Sequence, residues 1–258
     1  MITDALFKEQ NETIPESIYP ESIIPVPKER IKGRAFFPGG DGLFKSKTIP
    51  EGGIMILGQD FDNEDNFKIS IKYQSENKKP NGNRTWSNLE KIFSEKEMQN
   101  SFFTNAIMGL RERDSTNTGR SKAFLKKNKP FLDECRKFFS KQVKTQKPKL
   151  IIGLGSHIPK FLSECTDEFK DLLNKSRDLS KITSLKKLGS TYEENIFTDV
   201  IFKDTDNYKS GVIFITHPSM YFANVKRRNP KGADFESELI RKAIDQFVVI
   251  DKRIINEK

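Results

Sequence analysis

Ile54-Met55-Ile56-Leu57-Gly58-Gln59-Asp60-Phe61-Asp62-Asn63 is the stretch on which the reading of the whole chain turns. Four apolar residues without alternation suit a strand covered on both faces, as in parallel sheets beneath helices. The polar string after it begins at the carboxyl end of that strand, where open α/β sheets place their ligands. Three further runs have the same character, at residues 102–105, 150–154 and 212–216. The first of these ends in Asn105, and the last leads into His217-Pro218-Ser219. A carboxylate, a carboxamide and an imidazole would thus face one crevice. Singly, each has an ordinary explanation as a turn former, a helix cap or a group satisfying backbone. Three at strand ends of one chain are harder to explain that way.

Between these runs lie segments with apolar spacings of three and four. Residues 87–97 carry Leu89, Ile92 and Phe93; residues 130–146 carry Phe131, Leu132, Cys135, Phe138, Phe139 and Val143. Residues 158–173 and 234–250 repeat the pattern, and all four predict amphipathic helices. Strands alternating with helices predict an α/β fold, a three-layer α/β/α sandwich on a mainly parallel central sheet. Six of the 12 prolines fall within residues 1–50, which predicts an extended N-terminal arm packed on the surface of a domain spanning residues 51–258. Within the arm, Phe36-Phe37-Pro38-Gly39-Gly40-Asp41-Gly42-Leu43-Phe44 reads either as a phosphate-holding nest or, more simply, as a tight turn anchored by its Phe side chains.

The chain has 258 residues, 35% of them apolar, which supports a packed core and excludes a disordered tail. Two cysteines, Cys135 and Cys165, exclude a disulfide framework, a four-thiolate zinc site and a cysteine-held iron–sulfur cluster. No targeting segment or membrane span is evident, so a cytoplasmic protein is expected, with no metal or other cofactor. The net charge is +9, and residues 120–149 contain 11 Lys or Arg against two acids. Such a run is ordinarily a solvated helix face. With Lys226-Arg227-Arg228-Asn229-Pro230-Lys231 it raises the alternative of a phosphate-facing surface that includes Lys126 and Lys127.

The blocks at the strand ends resemble the uracil-DNA glycosylase superfamily in order, over roughly residues 51–230. Gly58-Gln59-Asp60 resembles the start of its first motif, Gly-Gln-Asp-Pro-Tyr-His. Trp86-Ser87-Asn88-Leu89-Glu90-Lys91-Ile92 resembles its Pro-Ser-Leu-x-Asn-Ile block. Residues 102–111 resemble its Leu-Leu-Leu-Asn strand with an Arg six residues later, 148–155 its next strand and glycine, and His217-Pro218-Ser219 its final motif.

The resemblance implies a monofunctional, metal-independent, monomeric DNA glycosylase of base-excision repair that flips a base out of DNA. Asp60 would orient water and offset positive charge on the sugar, and His217 would stabilise the leaving base. Asn105 would read the base edge, with Gln59, Phe61 and Asp62 beside it and Phe67 or Tyr73 as aromatic platform. Ser87 and Ser219 would hold phosphates, Met220 and Tyr221 would occupy the intercalating loop, and Arg227 and Arg228 would follow the backbone. Asp62 stands where the family has the Tyr that blocks the thymine methyl group, so it would either accept a hydrogen bond from another modified base or seal the pocket. The competing reading is a catalytically silent member of the fold that binds DNA, a nucleotide or a protein. His157 is expected at a helix start or on the surface, Trp86 as a loop anchor, and both cysteines as packing residues.

Overall fold

The computed structural model describes residues 2–26, 36–37, 39–40, 51–75, 84–112, 127–155, 157–167, 195–220, 225 and 232–248. In chain order they form α1 (Ile2–Thr13), a 3-10 turn (Glu16–Ile18), β1 (Ile23–Ile24), β2 (Ile54–Gly58), α2 (Glu64–Ser75), α3 (Arg84–Ile92), α4 (Glu95–Gln99) and β3 (Ser101–Asn105). There follow β4 (Leu110–Arg111), α5 (Lys129–Gln146), β5 (Leu150–Leu154), α6 (Ile158–Cys165), β6 (Phe197–Ile201), β7 (Lys209–Ile215), a second 3-10 turn (Pro218–Met220) and α7 (Gly232–Phe247).

Five strands form the central sheet in the order β3-β2-β5-β7-β6; the first four run parallel, and β6 lies antiparallel along one edge. The chain moves from β2 outward to β3 and then returns to β5 on the opposite side of β2. Open α/β sheets place their ligand crevice at such a reversal, here the carboxyl ends of β2 and β5.

Because successive strand residues point to opposite faces, each apolar run divides between two cores. Met55, Leu57, Ile151, Val212 and Phe214 join Leu6 and Phe7 of α1 and the apolar stripes of α5 and α6. Ile54, Ile56, Ile152, Ile213 and Ile215 join Trp86 and Leu89 of α3, Met98 of α4, and Leu239, Ile240, Ala243 and Ile244 of α7. The result is the expected three-layer sandwich. Among the described residues, no helix is long and apolar enough to cross a membrane.

Several elements depart from the sequence reading. The N-terminal arm is not extended throughout, because its first proline is Pro15 and the 12 residues of α1 before that point are free to form a helix. That helix buries Leu6, Phe7 and Gln10, and Lys141 of α5 donates to Thr13 Oγ1 at 2.9 Å. Beyond Pro15 the arm is held to the domain, with Tyr19 donating to the Met108 carbonyl at 2.8 Å and β1 pairing with β4. The helix expected over 87–97 is two helices. Ser94 and Glu97 form a capping box, each side chain bonded to the other's backbone N–H, and this starts α4 afresh.

α6 stops at Cys165, where Thr166 turns to extended backbone, eight residues before the end expected from periodicity. β7 begins at Lys209 and ends at Ile215, one residue earlier than expected. The edge strand β6 was not foreseen. Its burial is irregular, and a register shift with Asp199 in the left-handed region interrupts its pattern. In the glycine-rich segment, Phe37 is fully buried against Phe7 and Phe138, and Gly39 donates to the Phe103 carbonyl at 3.3 Å on the open edge of β3. The described part of the segment is therefore an anchored turn that covers an edge strand.

Candidate functional site

The loop after β2 is fastened to the loop after β3. Ala106 N–H donates to the Gly58 carbonyl and Ile107 N–H to that of Gln59, both at 2.9 Å, and Arg111 N–H reaches the Asp62 carbonyl at 2.9 Å. Gly58 and Asn105 are register partners. These bonds hold Gln59, Asp60 and Asn105, the first two half-buried and the third buried, at one end of the sheet. His217 follows β7, two strands along from β2, which is about 10 Å between strand axes at the usual spacing.

Asn105 is 1% exposed, and its Nδ2 has no hydrogen-bond partner among the described residues. Its Oδ1 occupies the space above Gly58, where an added methyl carbon would lie 2.4 Å from that oxygen and 3.0 Å from Phe36 Cδ1. Only a glycine lets the amide and the Phe36 ring share this spot. Leaving a buried amide N–H unmatched costs about 1–3 kcal/mol, which an acceptor placed at Nδ2 would recover.

Asp60 Oδ1 accepts the Asp62 N–H at 3.0 Å, which fixes the turn. His217 is half-buried. The Ser219 N–H donates to its Nδ1 at 3.2 Å, and the Ser219 hydroxyl lies 2.8 Å from the same atom. A ring nitrogen that accepts from a backbone N–H carries no proton, so in the neutral ring the proton sits on Nε2 and the Ser219 hydroxyl is a second donor to Nδ1. The sequence reading gave Ser219 to phosphate; in the free protein its hydroxyl orients the imidazole. Gly155, at φ 86°, packs beside this ring, and a methyl group there would lie 3.1 Å from His217 Cβ.

Asp62 takes φ 69°. Its Oδ1 meets Arg111 Nη2 at 2.5 Å and accepts the Asn63 N–H at 2.8 Å, while Oδ2 accepts from Asn66 Nδ2 at 2.9 Å. Asn63 Oδ1 caps the start of α2 by accepting the Asn66 N–H at 2.8 Å. Asp62 and Asn63 thus start a helix and secure it to β4.

Phe61 is half-buried and lies edge-on to Phe37 and Phe67, with centroids 6.2 and 6.4 Å away; Phe67 itself is buried. The Tyr73 and Met220 side chains lie outside the described residues, as do Tyr221, Arg227, Arg228 and Lys126. Phe36 comes beside Gly58 and Asn105 from the N-terminal segment, a neighbour the sequence does not announce beyond the Phe-Phe pair before Pro38. Trp86 is buried against Phe36 and Phe103, at 5.4 and 4.9 Å, and anchors the core. His157 stands at the start of α6.

Ser87 is exposed on α3 beside Asn88, whose Nδ2 donates to the Pro218 carbonyl at 2.6 Å. That bond brings the two serine-bearing segments together. α5 runs directly into the amino end of β5, so its N-terminus, with exposed Lys127 just before it, lies toward the crevice side of the sheet. Farther along, Lys129 and Arg136 pair with Asp133, Lys137 with Glu134, Lys144 with Asp206 and Lys147 with Glu51. That portion of the basic run is an ion-paired, solvated face.

The sequence profile described as the Uracil DNA glycosylase superfamily matches residues 46–243, more than half of the chain. No curated protein sequence matches it.

Proposed function

The chain belongs to the uracil-DNA glycosylase superfamily, and we propose that it hydrolyses the N-glycosidic bond of uracil or a related modified base in DNA. The observation that carries this reading is the Asn105 amide, buried beside Gly58 with an Nδ2 that is unmatched among the described residues. A uracil edge offers a carbonyl acceptor to Nδ2 and an imide N–H donor to Oδ1, so one side chain matches both. The Phe36 ring, next to that oxygen, supplies apolar surface for the base. As the bond between base and sugar breaks, its electron pair goes to the base, and Nε2–H of His217 donates to the base oxygen on which charge grows. Asp60 opposes the positive charge on the sugar; water adds its oxygen to the anomeric carbon and gives up a proton to the Asp60 carboxylate. The products are free base and an abasic site. Asp62, held by Arg111 and Asn66, keeps the Asp60 turn in shape.

The test is release of base from oligonucleotides carrying uracil, hypoxanthine, xanthine or a 5-substituted uracil, read by alkaline cleavage at the abasic site. Asp60→Asn and His217→Ala are each expected to lower turnover by about 10²–10⁴-fold, the range for loss of a charge-stabilising or proton-handling group. No release from any of the four substrates would favour the silent, DNA-binding reading.

A further inference from the structure

Ser219 of the 3-10 turn contacts the His217 ring, and the backbone on either side of His217 is held by side chains from two helices. β7 ends at Ile215, whose partner is Leu154, so the Thr216 N–H has left the sheet ladder and needs an acceptor elsewhere. The acceptor comes from α7. Glu236, 1% exposed, takes the Thr216 N–H at 3.1 Å and the Thr216 hydroxyl at 2.6 Å on the same oxygen, Oε1. On the other side of the histidine, Asn88 of α3 donates to the Pro218 carbonyl at 2.6 Å. Two buried polar side chains, from two helices on one face of the sheet, therefore grip the residues immediately before and after His217. Burying a carboxylate is expensive, and this one places an oxygen on two donors of a single loop residue.

We infer that Asn88 and Glu236 are positioning residues that bracket residues 216–218 and set the direction of His217 Nε2–H. The inference rests on the reading of His217 as the group that stabilises the departing base. With the bracket intact, Ser219 can reach Nδ1 and Gly155 closes the other side of the ring. Releasing either flank lets the loop turn and breaks the Ser219 contact, which frees Nδ1 to take the proton. Catalytic geometry is sensitive to displacements of about 1 Å, worth about 100-fold in rate.

The chain has only two histidines, His157 and His217, so its imidazole ¹⁵N signals are few enough to assign by single substitution. In long-range ¹H–¹⁵N spectra of the free protein, the wild type is expected to show His217 as one Nε2–H tautomer. Asn88→Ala and Glu236→Ala are expected to give mixed tautomers, with kcat for base release lower by about 100-fold and KM changed less than about threefold. Glu236→Gln keeps an oxygen for Thr216 and is expected to restore the single tautomer and most of the lost turnover. Thr216→Val, which removes only the hydroxyl donor, provides a milder variant should Glu236→Ala not fold, and a smaller change of the same kind is expected.

An unchanged His217 spectrum in Asn88→Ala and in either Glu236→Ala or Thr216→Val would overturn the bracket, whatever the wild-type activity. A spectrum that responds as described in a protein that releases no base would support the bracket and count against the glycosylase reading alone.

Discussion

At the scale of single residues, the strongest constraints are at positions where another side chain would not fit. Asp62 sits at φ 69°, a region that costs a typical L-residue about 1–2 kcal/mol and is tolerated best by Gly, Asn and Asp. Asp62→Tyr, which introduces the residue that the resembled motif has here, is therefore expected to destabilise the protein by about that amount, while Asp62→Asn is expected to leave stability within about 0.5 kcal/mol. Urea denaturation reads both, and equal stability of the Tyr variant would contradict the strained turn.

Cys135 and Cys165 are buried without a disulfide, and burial pushes both thiols up to about 12. Their ionisation is thus easier in the unfolded chain, from about pH 9 upward. Stability should be unaffected by them below pH 9 and fall as pH rises from there toward 12, because the unfolded state then binds fewer protons than the native state. The matching expectation is that a thiol reagent at pH 8 modifies neither cysteine until the protein is denatured. Asp60, Asn105 and His217 could be picked out as candidates because each lies within three residues of the end of an apolar run. The work of Asp62 was not, because its partner Arg111 lies 49 residues further on. The same holds for Asn88 and Pro218, 130 residues apart.

At the scale of elements, the four parallel strands could be read from uninterrupted apolar runs, and α5 from its stripe of six apolar positions. What escaped the reading was set by local chemistry or by tertiary pairing. A capping box divided a continuous apolar pattern into α3 and α4, and a bulge disguised β6. Proline density suggested an extended arm, although α1 ends before the first proline and buries one face on α5. Phe7 is 6% exposed, with its ring edge-on to Phe37 at 5.2 Å. Phe7→Ala is accordingly expected to cost about 3–5 kcal/mol in urea denaturation. A loss below about 1 kcal/mol would mean that α1 is an appendage and not part of the core.

At the scale of the molecule, the reversal of strand order beside β2 gathers the loops that carry Gln59, Asp60, Asn105 and His217, while the helices cover both faces of the sheet. The net charge of +9 suits a polyanionic partner, but most described cations of α5 are paired with acids. Only the N-terminal end of that helix lies toward the crevice. Lys127→Glu is expected to weaken binding to a DNA duplex and to lower the slope of log affinity against log salt by about 1, whereas Lys144→Glu should leave both nearly unchanged. Similar losses from the two substitutions would place the DNA elsewhere on the surface.

In the proposed reaction a base leaves the DNA and seats itself on Asn105. The most direct measurement follows the Asn105 side-chain NH₂ resonances in Asp60→Asn protein, which is expected to bind substrate without consuming it, as an oligonucleotide with a single uracil is added. A saturable shift of those two resonances with the uracil strand, and none with the same sequence carrying cytosine, is the predicted result. Resonances that stay in place at saturating uracil strand, or move equally with both strands, would contradict it.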